Sequence, residues 1–323
     1  MFSFNVLKDI SSPFEFETLA LEIYHFQKTH CKVYGDYVRL LNRPAAKSLN
    51  EIPFLPIQFF KSSAICCGEK RDSDVLFLSS GTENSERSQH YVRDIEIYKA
   101  SFRTTFRQFF GDIESYVLLA LLPNYIEQGS SSLVYMVDTL IKDSKNDLSG
   151  FLLNEKEEIE IRYKKAGASG KKVIVFGVSY ALLDLAEKQI DLKSAIVVET
   201  GGMKGRRAEL SKNELHAILM QQLNLPFIYS EYGMTELLSQ AYSKENGVFV
   251  CPPWMKVIFR EIYDPLTLVE GNRKGAINVI DLANSNSCSF IATQDMGRAV
   301  EGGFLLEGRI EQADLRGCNL LID

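Results

Sequence analysis

The chain has 323 residues, a net charge of −6, 46% hydrophobic residues and 24% charged residues. That composition supports a large buried core and about two domains, and it lacks the basic stripe of a nucleic-acid-binding surface. The longest apolar stretch, Tyr116–Leu122, is far shorter than the ~20 residues a membrane span needs, and the opening M-F-S-F-N-V-L-K-D-I is not a signal peptide. A soluble, cytoplasmic protein is expected.

The predicted elements run as follows. Residues 14–26 carry large apolar groups at helical spacing behind Ser12-Pro13, a helix start. Residues 36–42 form a second short helix, and the two prolines of 52–60 make that segment extended. From residue 74 the rhythm is strand, polar loop, helix. Strands are expected at 74–78, 117–122, 172–176, 195–199 and 226–229, and helices at 91–110, 133–142 and 180–189. A capping box at Ser211–Glu214 opens a helix running to about Asn224. The mixed-charge run 154–165 reads as a solvated helix surface. Near-continuous apolar strands alternating with helices predict an α/β fold with a parallel sheet covered by helices. After residue 246 come strands at 248–250, 256–263, 276–281 and 290–292 with turns between them, so a smaller β-rich lobe is expected. The expected organisation is an N-terminal segment over 1–73, an α/β nucleotide-binding core over 74–245 and the β-rich lobe over 246–323.

Six cysteines (Cys31, Cys66, Cys67, Cys251, Cys288 and Cys318) form no C-x-x-C, so neither zinc nor a disulfide frame is indicated. Most read as buried small hydrophobes. The four histidines are scattered, which argues against a histidine metal site.

In open α/β sheets ligands bind beyond the carboxyl ends of the strands, so the chemistry is sought there. After 74–78 comes F-L-S-S-G-T-E-N-S-E-R-S, whose hydroxyls and backbone amides suit phosphate oxygens; a polar surface loop is the other reading. After 195–199 comes E-T-G-G-M-K-G-R. Its paired glycines admit a flat ligand, and Lys204 and Arg206 add positive charge; a tight turn with solvated cations reads equally well. After 226–229 comes S-E-Y-G-M-T-E-L. There Tyr232 can stack on a purine, the Thr235 hydroxyl can bind an α-phosphate and Glu236 can hold Mg²⁺, with Gly233 permitting the turn between them. In T-Q-D-M-G-R, Asp295 can accept both ribose hydroxyls.

The ordered set S-S-G-T, G-G-M-K, Y-G-M-T-E, Q-D-M-G-R and E-G-R-I-E-Q-A-D-L-R-G resembles the adenylate-forming enzymes over roughly residues 74–323. The length and the ending R-G-C-N most resemble the acyl-protein synthetases (LuxE-type) of the bacterial luminescence fatty-acid reductase. Phenylacetate-CoA ligases are a more distant match. The resemblance implies the N-terminal adenylate-forming domain, without the mobile C-terminal domain and its catalytic lysine. It also implies ATP, Mg²⁺ and a carboxylic acid, in particular a fatty acid, giving an acyl-adenylate whose acyl group passes to a thiol.

Carried over by motif, Ser79, Ser80, Gly81 and Thr82 face the ATP phosphates and Gly201 and Gly202 line the adenine. Tyr232, beside Gly233, stacks on that ring. Thr235 touches the α-phosphate, Glu236 binds Mg²⁺, Asp295 holds the ribose, and Arg309 contacts ribose or phosphate. Cys318 matches the acyl-accepting cysteine, and an acyl-CoA or aldehyde reductase or an acyl carrier is the implied partner. The phosphate loop departs from the family: it reads T-E-N-S-E-R-S where a second glycine and a lysine are usual. That places Glu83 and Glu86 beside a triphosphate and assigns the lysine's role to Arg87. Lys204 is assigned the part of the missing domain's lysine.

Two rival readings remain. One is a non-catalytic or partner-dependent relative that binds acyl groups or nucleotides. The other is a serine hydrolase using Ser179, from F-G-V-S-Y-A between a strand and a helix.

Overall fold

The computed structural model describes residues 2–80, 86–123, 130–155, 157–201 and 210–310. The chain forms two compact units: residues 1–98, 235–239 and 248–323 make the first, and residues 99–234 and 240–247 the second.

In chain order the first unit begins with α1 (Phe4–Leu7), α2 (Pro13–His30) and α3 (Lys32–Leu40). The start of α2 is fixed as the sequence predicts. Ser12 Oγ accepts the Glu15 N–H at 3.2 Å, and Glu15 Oε2 accepts the Ser12 N–H at 3.1 Å, with Pro13 pre-set for the first turn. Next come β1 (Leu55–Pro56), α4 (Phe59–Ser62), β2 (Val75–Leu78) and β3 (Gln89–Val92). The strand β3 corrects the expectation of one helix over 91–110. Residues 89–92 pair antiparallel with β2, Leu78 opposite Gln89 and Val75 opposite Val92, so α5 starts only at Ile95 and runs to Phe110.

The second unit carries β4 (Tyr116–Leu121), α6 (Ser132–Asp143), β5 (Gly150–Phe151), α7 (Glu157–Ala168), β6 (Lys172–Gly177) and α8 (Ser179–Ala186). It continues with β7 (Ile196–Glu199), α9 (Lys212–Leu223), β8 (Tyr229–Tyr232) and β9 (Ala241–Ser243). Strand order is β5-β4-β6-β7-β8-β9, parallel except for the last pair. This is the expected parallel sheet. Its central strands β4, β6 and β7 are buried along nearly all their length, as their apolar runs demand, with α6 packed on β4 and α7 on β6. The predicted capping box opens α9, and Asn224 closes it in the left-handed region at φ 54°.

The first unit then resumes with β10 (Phe249–Val250), β11 (Met255–Arg260), β12 (Gly275–Asp281), β13 (Phe290–Val300) and β14 (Gly303–Arg309). They lie in the order β11-β12-β13-β14-β10, with the adjacent pairs β11–β12, β12–β13, β13–β14 and β14–β10 antiparallel. Strand β1 adds parallel to β13, Leu55 opposite Ile291. Residues 249–309 are thus rich in β-strand and share their unit with residues 1–98 and 235–239. The link between β12 and β13 is polar, N-S-N-S-C-S, yet Asn284, Ser285, Ser287 and Ser289 are buried. Gln27 of α2 explains how this is tolerated: its Nε2 donates to the Asn284 and Ser285 carbonyls at 3.0 Å each, and its Oε1 accepts the Ser289 N–H at 2.9 Å. Buried polar backbone needs such partners. No helix among the described residues is long and apolar enough to cross a membrane.

Candidate functional site

In the second unit the carboxyl ends of β6, β7 and β8 are level, because Gly177 pairs with Glu199 and Glu199 with Ser230. Glu199 is the hub. Its Oε1 accepts the Ser179 hydroxyl at 2.7 Å and the Gly201 N–H at 2.6 Å. Its Oε2 lies 3.9 Å from Lys212 Nζ and 4.0 Å from His216 Nε2. Gly201 turns back on the carboxylate only by adopting φ +76°, a conformation glycine enters without strain. Burial pushes Glu199 up, but His216, Lys212 and Ser179 outweigh it and hold the carboxyl below its ordinary range. Burial pushes Lys212 down, against the pull of Glu199 and Glu231. Glu231 is raised to about 8 by burial and then by the Glu199 charge, Lys212 opposing. At neutral pH one of the two carboxyls is therefore ionised and the other protonated.

Tyr232 ends β8 and is buried. Gly233 follows and is not among the glycines with positive φ; a Cβ there would stand 2.1 Å from Glu231 Oε1 and 3.3 Å from Gln240 Cγ, so close approach also favours glycine at this position.

Ser179 has no histidine partner of the kind a hydrolase needs: its hydroxyl is given to Glu199. His216 offers the same Nε2 to Ser230 Oγ at 3.4 Å and to Glu199 at 4.0 Å. A base in a relay needs its second nitrogen on the acid.

In the first unit, Ser79 and Ser88 close the loop between β2 and β3. The Ser79 N–H donates to the Ser88 carbonyl at 3.0 Å, and the Ser88 N–H to Ser79 Oγ at 2.8 Å. Arg87 Nε donates to the Ser79 carbonyl at 2.5 Å. Ser88 lies close enough to the Glu236 carboxyl to favour its ionised form. Glu236 is 5% exposed. Burial raises its pKa, as does Asp295, while Ser88 and Lys61 pull it down. Asp295 faces Arg309 across β13 and β14, with Arg309 Nε 3.1 Å from Asp295 Oδ1.

Residues 235–239 belong to no helix or strand and are held by side chains. His90 Nδ1 stands 2.7 Å from the Thr235 carbonyl oxygen, and its Nε2 3.0 Å from Asn284 Oδ1. Asn284 Nδ2 donates to the Glu236 carbonyl at 2.7 Å and to that of Cys288 at 2.9 Å. Asp281 accepts the Leu238 N–H at 2.8 Å and the Ser239 hydroxyl at 2.6 Å. Burial pushes His90 down to about 4, against the Thr235 and Asn284 contacts.

Of the predicted residues, Ser79, Arg87, Thr235, Glu236, Asp295 and Arg309 fall in the first unit and Gly201, Tyr232 and Gly233 in the second. Ser80 is exposed at the loop edge. Gly81, Thr82, Gly202, Lys204 and Cys318 lie outside the described residues. Sequence reasoning missed Ser88, His90, Asp281 and Asn284. Their one signal is polarity at the ends of otherwise apolar strands.

No family model matches the sequence, and no curated protein matches it. Solved structures do match in fold. An open conformation of 2-hydroxyisobutyryl-CoA ligase in complex with 2-HIB-AMP and CoA aligns with a TM-score of 0.64 at 11% identity, over 94% of this chain and 77% of that one. Apo MatB from Rhodopseudomonas palustris aligns at 0.52 and 16% identity, over 72% and 47%. The anthranilate CoA ligase AuaEII with anthranoyl-AMP aligns at 0.51 and 14%, over 85% and 51%. The chain thus has the α/β fold of adenylate-forming ligase domains. It spans about half the length of MatB and of AuaEII.

Proposed function

We propose that the chain is an ATP-dependent ligase that activates a carboxylic acid as its acyl-adenylate and passes the acyl group to a thiol. The observation that carries this reading is the buried Glu236 carboxyl in the same unit as the hydroxyl-bearing loop base at Ser79 and Ser88, with Ser88 favouring its ionised form. The matching fold, which other ligases use with acyl-adenylates, supports it.

A carboxylate oxygen of the acid attacks the α-phosphorus of ATP, and the bond to pyrophosphate breaks. The thiolate then attacks the acyl carbon, a C–S bond forms and AMP leaves. Such chemistry needs fixed donors and cations more than acid–base groups. Ser79, Ser80, Gly81, Thr82 and Arg87 are assigned to the phosphates, Thr235 to the α-phosphate, and Asp295 and Arg309 to the ribose. Gly201, Gly202 and Tyr232 are assigned to the adenine.

Among the described residues no group of three or more His, Cys, Asp or Glu side chains is arranged to hold a metal. One buried carboxylate, disfavoured by its surroundings, nevertheless fits Mg²⁺, which is held by one or two carboxylates plus substrate phosphates. Glu236 would hold the ion; when bound, it neutralises phosphate charge.

The finer assignment is an acyl-protein synthetase acting on a fatty acid. It has Cys318 as acyl acceptor, Lys204 near the reacting carboxyl, and a reductase or acyl carrier taking the product. Pyrophosphate exchange into ATP with a panel of fatty and aryl acids tests the activation step; no exchange with any acid leaves only a binding relative. Intact mass after incubation with ATP, Mg²⁺ and acid tests the acceptor. A thioester-sized adduct is expected on the wild type and not on Cys318→Ser. An adduct on both refutes the role of Cys318.

A further inference from the structure

We infer that His90 and Asn284 are positioning residues that hold Thr235 and Glu236 in place for adenylation by engaging their two successive backbone carbonyls. The inference rests on the ligase reading above. Thr235 and Glu236 sit in a segment without helix or strand hydrogen bonding, so backbone order there has to come from side chains. The two carbonyls point to two side chains of other elements: the Thr235 oxygen to His90 Nδ1 at 2.7 Å and the Glu236 oxygen to Asn284 Nδ2 at 2.7 Å.

Those side chains are also adjacent, His90 Nε2 standing 3.0 Å from Asn284 Oδ1; the neutral ring carries a single N–H, which the Thr235 carbonyl takes. The amide of Asn284 has one orientation, because its Nδ2 must serve the Glu236 and Cys288 carbonyls. Both residues have no exposed surface, so water cannot replace either contact. His90 also lies two residues after Ser88, which favours the ionised form of the Glu236 carboxyl. Catalytic groups held this way keep their geometry without reorganising, and a misplacement of about 1 Å costs about 10²-fold in rate.

The test compares wild type, His90→Leu and His90→Asn as full chains. Leucine removes both ring contacts, whereas asparagine keeps a donor where Nδ1 stands. In pyrophosphate exchange, kcat is expected to fall about 30–100-fold in His90→Leu, with KM for ATP within about threefold. His90→Asn is expected to recover at least about tenfold of that loss. A His90→Leu kcat within about threefold of wild type overturns the inference, as does asparagine performing no better than leucine. Hydrogen exchange in the protein without nucleotide or acid supplies a readout that does not need turnover. Amides of 235–239 should exchange at least about tenfold faster in His90→Leu while those of β4 and β6 stay unchanged. Equal protection at 235–239 overturns the inference. If wild type exchanges pyrophosphate with no acid, the ligase reading fails and the hydrogen-exchange comparison alone decides the positioning. If His90→Leu does not fold, His90→Asn against wild type carries both comparisons, with about threefold lower kcat and looser amides expected. No difference in either overturns the inference.

Discussion

Replacing Glu231 by glutamine removes one titration from a three-charge cluster, and the effect on stability can be worked out from the surroundings of the carboxyl. Burial and the Glu199 charge raise Glu231 from 4.5 to about 8 in the folded chain. In the unfolded chain it titrates near the ordinary ~4.3. Between these values the folded state binds more protons than the unfolded one, so stability falls as pH rises through that window. At 1.36 kcal/mol per pKa unit the full loss has a ceiling of about 5 kcal/mol. The half-buried residue, screened in part by solvent, will show less. Glutamine mimics the protonated form at every pH. The stability of Glu231→Gln relative to wild type should therefore be about 1 kcal/mol at pH 5, rise to about 3.6 kcal/mol at pH 7 and level off near 5 kcal/mol by pH 9, all as ceilings. Urea unfolding of both proteins at these pH values reads the difference directly. Because only the difference is used, titrating groups remote from Glu231 cancel, and Glu199 and Lys212 are the ones that do not. Two parallel stability curves, with a pH-independent offset, would refute the assignment of a protonated Glu231 beside an ionised Glu199.

Three other outcomes are expected. Glu236→Gln should lower acid-dependent pyrophosphate exchange by about 10²–10³-fold while the thermal midpoint moves by only a few degrees; near-normal exchange would remove Glu236 from the reaction. Arg260 is buried and donates to the Ile277 and Thr293 carbonyls at 2.7 and 2.6 Å and to Asn278 Oδ1 at 2.9 Å. Arg260→Met should cost about 3 kcal/mol in urea unfolding by stranding those acceptors, and a loss below about 1 kcal/mol contradicts this. Ser179→Ala deletes a 2.7 Å bond to ionised Glu199 and should cost about 1.5–3 kcal/mol. The wild-type serine should resist fluorophosphonate labelling, and labelling at Ser179 would restore the hydrolase reading.

The sequence was most legible where local chemistry decides structure. Both capping boxes, at Ser12 and Ser211, are made as their residue types require, and the apolar runs of β4, β6 and β7 become the buried parallel strands they imply. It was least legible where a distant segment supplies the partner. Residues 91 and 92 read as the start of a helix because α5 follows at once, but pairing with β2 wins there. The strand ending in Tyr232 was placed three residues early, because the pairing of Tyr229 with Val198 fixes where it begins. The run N-S-N-S-C-S looks like a surface turn and is buried, since its hydrogen bonds are met by Gln27, 257 or more positions away. His90 and Asn284 were hidden for the same reason: a polar residue's burial depends on partners that periodicity cannot reveal.

The dependence of α2 on residues near the far end of the chain also sets an order of events during synthesis. Gln27 and Ser289 are 262 positions apart. At about 5–20 residues per second, roughly 13–50 s separate the emergence of α2 from that of its partner loop. Over that interval the face of α2 that carries Phe16, Ala20, Ile23 and Tyr24, all buried in the finished fold, has no late strand to cover it. All residues of the second unit lie before position 248, so its strands are synthesised while the first unit still waits. A nascent chain stalled near residue 250 would present a folded α/β sheet preceded by an uncovered apolar helix, a natural target for chaperones.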